Sequence, residues 1–148
     1  MKKCLTKTNC LAFYFVAFGL LLLSSSGCSD RQAGLVKVSG TVLIDGKPLQ
    51  HGVVRIVPAD QRASVGRLNE FGEFTLGCFE IDDGAYAGNH QVEIAATTSI
   101  GSKGVKWWAP QKYARTSDSG LSVEITGPTN ELLIEISWEG GKPFVEKR

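Results

Sequence analysis

Residues 106–113 read Lys106-Trp107-Trp108-Ala109-Pro110-Gln111-Lys112-Tyr113, a stretch where side chains with binding chemistry crowd together. Indole and phenol rings beside ammonium groups stack on sugar rings or anchor a protein partner. Trp107, Trp108, Tyr113, Lys106 and Lys112 are therefore the candidate ligand or partner contacts. The favoured reading of the same rings is a plug, one Trp capping an open end of a fold and Tyr113 filling its core, because Trp and Tyr are mostly buried. In an extended segment adjacent side chains take opposite faces, so at least one of the two indoles is expected at the surface. Reactive chemistry is sparse elsewhere. His51 and His90 have no partners at metal-binding spacing, and CxxC, HExxH, GxSxG and GxxxxGK[ST] do not occur. Asp82-Asp83 offers two carboxylates where a Ca²⁺ shell takes about six oxygens; beside Gly84 they read as a solvated loop. No catalytic residue, cofactor or metal is expected.

The elements that must position the aromatic stretch follow a period of two. Val36, Val38, Val42 and Ile44 fall on one side and Lys37, Ser39 and Thr41 on the other, which predicts a half-buried strand. Asp45-Gly46-Lys47-Pro48 is a turn signal, with a return strand over Val53–Val57. Further strands are predicted over 64–68, 73–81, 89–97, 121–126 and 131–138. In them Phe74, Leu76, Cys78, Val92, Ile94, Leu121, Val123, Ile125, Leu132, Ile134, Ile136 and Trp138 face inward, with Leu133 out of pattern. Ile94 and Ile134 are expected in the core and Glu93 on the opposite face. Gly40 inside a strand signals a bulge or a close approach. Residues 99–119 break the alternation, residues 140–148 read as a flexible tail, and no helical period follows residue 27. Seven short strands separated by turns predict an all-β, antiparallel β-sandwich.

The N-terminus has another character. Residues 1–9 are basic and polar, 10–23 apolar and 24–27 small, the three-part order of a secretory signal peptide. The apolar run is shorter than the roughly 20 residues of a spanning helix, although a tilted, uncleaved anchor is the alternative. Ser26-Gly27-Cys28 resembles the lipobox of bacterial lipoproteins, with Ser25 where Leu is usual. That resemblance implies diacylation of the Cys28 thiol and a mature chain beginning there, with residues 28–35 as lipidated N-terminus and tether. Cys4 and Cys10 then leave with the signal, and Cys78 stands alone as a small core residue.

The 148 residues are 43% hydrophobic and 21% charged, an ordinary globular composition. Lys2, Lys3 and Lys7 precede any acid, so removing residues 1–27 leaves 13 Lys+Arg against 15 Asp+Glu. That balance carries no electrostatic footprint for nucleic acid. The mature length suits one domain with one core, placed over residues 36–139.

VSGTVLIDGKPLQHGVVRIVP, NEFGEFTL and DGAYAGNHQVEI together resemble the carboxypeptidase regulatory-like domain, a transthyretin-like sandwich related in architecture to the immunoglobulin fold. Asp45, Gly46, Lys47, Pro48, Leu49, Gly52, Gly72, Phe74, Leu76, Gly88, Val92 and Ile94 match its pattern. His90 stands where Tyr is usual and Asn69 where Asp is common, and an imidazole can close a loop as the Tyr hydroxyl does. Residues 109–114 are similar to the P.KY segment of small lipoproteins of this kind. The matching positions are turn and core positions, so they imply the fold and say little of function. The expectation is a non-enzymatic, lipid-anchored module of the cell envelope, held to a membrane at Cys28 and facing an extracytoplasmic space, with a structural or protein-interaction role. Its alternatives are a glycan-binding module using Trp107, Trp108 and Tyr113, and an accessory subunit of an envelope peptidase or transport complex, the latter implied by the company that related domains keep.

Overall fold

The computed structural model describes residues 34–147. The chain is all-β. In order the strands are β1 (Leu35–Val36), β2 (Val38–Ile44), β3 (Lys47–Pro48), β4 (Val53–Val57), β5 (Ser64–Arg67), β6 (Glu73–Thr75), β7 (Ala85–Tyr86), β8 (Gly88–Ala95), β9 (Thr97–Ser99), β10 (Val105–Trp107), β11 (Ser122–Ile125), β12 (Thr129–Ile136) and β13 (Phe144–Glu146). Single 3-10 turns at Gly101–Lys103 and Gln111–Ala114 and one helical turn, α1 (Thr116–Ser119), fill the region where alternation fails. The described residues thus hold strands β1 to β13 where seven were expected, and a short helix where none was. Several extra strands are two or three residues long, too brief for a period to register.

β11, β8, β4 and β5 form one four-stranded sheet, in that order and antiparallel throughout. In a second, β12 flanks one side of β2, while β3 and β6 pair with its other side. Here an expectation fails: β12 runs parallel to β2, with Leu132 opposite Gly40 and Ile136 opposite Ile44. Alternation places residues on faces but is blind to strand direction. Val38, Val42, Ile134 and Ile136 from this sheet join Val54, Ile56, Val92, Ile94 and Ile125 from the first in a single buried cluster. Each such side chain contributes about 1.5–3 kcal/mol by leaving water.

Local chemistry explains the joints. Asp45 and Gly46, both at positive φ (48° and 75°), close the β2–β3 hairpin as a two-residue turn, the conformation that right-twisted strands favour. Asn69 Oδ1 accepts the amides of Phe71 (2.8 Å) and Glu73 (2.9 Å), doing at the next turn what an aspartate would. His90 Nε2 donates to the Tyr86 carbonyl (2.8 Å), the loop closure expected of it. The strand predicted over 73–81 ends early: Phe74, Leu76 and Cys78 are buried on one face as expected, but residues 78–83 curl into a loop that leaves Ile81 92% exposed.

The segment read as a flexible tail contains β13, which pairs antiparallel with β10, and β10 pairs in turn with β9. The signal was weak because Phe144, Val145 and Glu146 all lie exposed, leaving no half-buried alternation. Glu93 sits off the core face as predicted, yet it is not a spare surface residue. It accepts a charge-assisted bond from Arg55 (2.5 Å) and the amide of Thr116 (3.1 Å), so it ties α1 to the sheet. Residues 1–33, with the signal-peptide reading, Cys28 and most of the tether, lie outside the described residues.

Candidate binding cleft

The aromatic stretch divides in two. Residues 105–107 are extended as β10, and Trp107 and Trp108 make separate sets of contacts, as alternation requires. Trp107 stacks on Phe144 of β13 (centroids 6.4 Å apart, planes 12° apart), and its Nε1 donates to Glu146 Oε2 (2.8 Å), which also accepts from Gln111 (3.0 Å). Trp108 Nε1 donates to Thr98 Oγ1 (3.0 Å), its ring lies 4.7 Å from that of His51, and Lys106 Nζ sits 3.6 Å from its centroid. Both indoles are half-buried, so neither is the bare surface ring that a flat sugar platform calls for.

Tyr113 is a plug. It is only 6% exposed, and its hydroxyl donates to the Ser137 carbonyl (3.2 Å) while accepting from the Ser137 amide (3.3 Å). Lys112 donates to Glu139 (2.5 Å) and lies 4.9 Å from the Tyr113 ring. Its pKa is raised above the ordinary lysine value, first by that hydrogen bond. Of the five candidate contacts, then, Lys106 and Trp108 come together, Trp107 is covered by β13, and Lys112 and Tyr113 secure the turn to the end of β12.

What Trp108 does line is a cleft of about 420 Å³ that Trp138 lines as well, with Ile44, Pro48, Leu49 and Pro143 as further apolar lining. Asp45, Lys47, Gln50 and His51 add polar groups to the lining. The positioning follows from the turn at Asp45. Its carboxylate accepts from Ser137 Oγ (2.7 Å) and from the Trp138 amide (3.3 Å), which pins the residue after β12 against the β2–β3 hairpin. Trp138 was expected as an inward strand residue, but β12 ends at Ile136 and the indole stands half-buried beyond it. Trp138 and the 47–51 segment are distant in sequence, and no local spacing announces their meeting.

A broader groove, about 890 Å³, lies along β2, β5 and β6, and Arg62, Arg67, Glu73, Glu80 and Asp82 are among the residues that line it. Arg62 lies 5.4 Å from the Phe79 ring centroid. Charges of both signs line it, two basic residues and three acidic ones.

The other candidate groups have structural partners. The Asp83 carboxylate accepts the amides of Cys78 (2.5 Å), Phe79 (3.0 Å) and Glu80 (3.0 Å), and Lys37 Nζ donates to the Asp82 carbonyl. Desolvation is the largest single influence on Asp83 and pushes its pKa up. The three amides and the Lys37 charge together outweigh it and hold the carboxyl below the ordinary aspartate value. A carboxyl depressed on folding stabilises the fold at pH above its unfolded pKa of about 3.9, and that contribution is lost as pH falls through the lower folded value. Asp83→Ala is expected to cost about 1–2 kcal/mol at neutral pH by leaving the loop amides without their acceptor. Urea denaturation of both proteins should show the difference narrowing below about pH 4; a difference that widens in acid would contradict the assignment. Cys78 is buried and unpaired, its Sγ 3.5 Å from the Arg62 carbonyl. Among the described residues no three His, Cys, Asp or Glu side chains gather as a metal site, and no helix is long and apolar enough to cross a membrane.

No family model matches the chain, and no similarity was found to a curated protein or to a solved structure.

Proposed function

We propose that this chain is a lipid-tethered β-sandwich of the cell envelope, attached through Cys28 and working by binding rather than by catalysis. The single observation that carries the binding half is the preformed cleft lined by Trp108 and Trp138, where aromatic and aliphatic side chains are combined with a few polar ones, the usual character of a small-ligand site. Three groups capable of acid–base or nucleophilic work are engaged in holding the fold: Asp83 on three amides, Glu93 on Arg55 and Thr116, and Cys78 within the buried core. The two four-stranded sheets share one core, which is consistent with the transthyretin-like reading, in which the hairpin at Asp45-Gly46 and the turn that ends at Gly72 are matched features.

The tether rests on the basic, apolar and small segments that precede Cys28. Mass spectrometry of the protein purified from membranes should find an N-terminal cysteine carrying diacylglycerol. Cys28→Ala should leave an unprocessed precursor or release the domain into the soluble fraction. Membrane-bound protein with a free Cys28 thiol would sink the tether.

A further inference from the structure

We infer that two copies of this chain pair by exchanging residues 141–147, so that β13 of one copy lies on β10 of the other. This goes beyond the binding cleft and does not depend on the tether. The first support is how little holds the segment in place. Every residue from Glu139 to Lys147 is exposed, and β13 is three residues long with no side chain in the core. A strand of that kind opens locally with little loss, since few apolar contacts go with it.

The turn that feeds β13 is the second support. The Gly141 amide donates to the Trp138 carbonyl (2.9 Å), and both residues between them have positive φ, Glu139 at 52° and Gly140 at 88°. Glycine takes that conformation freely, whereas the side chain of Glu139 makes it a strained one. Two further bonds hold the turn: the Glu139 amide donates to Ser137 Oγ (3.0 Å), and Lys112 donates to the Glu139 carboxylate (2.5 Å). Both are exposed, so water replaces them when the turn straightens, and the ion pair is worth little. Straightening also frees Glu139 from its strain. A short connection under strain is where chains exchange segments.

The seat on β10 is the third support, because it is specific and transferable. Trp107 stacks on Phe144, while Trp107 Nε1 and Gln111 Nε2 both donate to Glu146 Oε2. Gly104 admits the strand: a Cβ there would stand 2.1 Å from the Glu146 carbonyl oxygen. None of these contacts involves the turn, so β13 of a second copy makes every one of them. A foreign strand would need the same aromatic and acid two residues apart; a second copy carries them by sequence. Pro143 lines the cleft and travels with β13, so exchange completes the cleft of each copy with Pro143 of the other.

The test is native mass spectrometry of the full-length chain in detergent, incubated at concentrations up to about 1 mM, the effective concentration that a short connection gives its own strand. A concentration-dependent dimer is expected. Gly140→Ala adds a Cβ that meets nothing within 4 Å, so it acts on the turn alone. It should raise the dimer association constant about tenfold, and Glu139→Gly should lower it by a similar factor. Gly104→Ala should abolish the dimer. Glu146→Ala, at an exposed position, should weaken it without endangering the fold. Lys106→Cys combined with Val145→Cys joins residues paired across β10 and β13. Its disulfide should close within one chain in the monomer and between chains in the dimer. A dimer indifferent to these substitutions, or one whose engineered disulfides stay within single chains, would overturn the exchange. Monomer at every concentration would also overturn it, and binding of an added KPFVEKR peptide by that monomer would assign the β10 edge to a foreign strand instead.

Discussion

Gly40→Ala is expected to lower stability by about 3 kcal/mol or more, because a Cβ at that position would stand 1.9 Å from the Leu132 carbonyl oxygen and 2.8 Å from its Cβ. The first obstacle is backbone, so no side-chain rotation relieves it. β12 would have to move away from β2, and that parallel pair carries Ile134 and Ile136 into the core. The pairing is already irregular between Thr129 and Leu132, where the strand adjusts to the close approach. For a domain of this size the loss corresponds to a fall in Tm of about 10–15 °C, read by far-UV circular dichroism. Gly127→Ala is the matched control, since an added Cβ there meets nothing within 4 Å and the backbone is not left-handed. It should be neutral or slightly stabilising. Equal melting of the two variants would mean that β12 does not lie against β2 as described.

Ile94→Ala is expected to cost about 2–5 kcal/mol. The side chain is 0% exposed, sits mid-strand in β8 opposite Val54 of β4, and has neighbours from both sheets in its cluster, so the cavity left by truncation cannot be filled by solvent. Urea denaturation should show a lower midpoint with an unchanged slope. Glu135→Ala, exposed and without a partner among the described residues, should stay within about 0.5 kcal/mol. Glu93→Ala should fall between, at about 1–2 kcal/mol, because it removes the acceptor of both Arg55 and the Thr116 amide. If Glu93→Ala were as costly as Ile94→Ala, the register of β8 would be off by one residue.

Taken alone, the amino-acid sequence determined the all-β class, the burial of Val38, Val42, Val92, Ile94, Ile134 and Ile136, the tight turn at Asp45-Gly46 and the loop closure by His90. These are short-range matters: side-chain alternation along an extended chain and φ preferences at a turn are written in neighbouring residues. Tertiary structure decided the parallel run of β12 on β2, because period-two patterning is the same for either direction. It also decided that the C-terminal segment becomes β13 and covers Trp107, that the Tyr113 hydroxyl meets the backbone of Ser137, and that Glu93 is an anchor. The cleft is the clearest case. The sequence pointed to Trp108 by its crowd of aromatic neighbours, but Trp138, which lines the same cleft, is held there by a hydrogen bond from its backbone to Asp45 across the fold. A pair so far apart along the chain is set by how the β2–β3 hairpin meets the end of β12, and nothing in the spacing of residues records that contact.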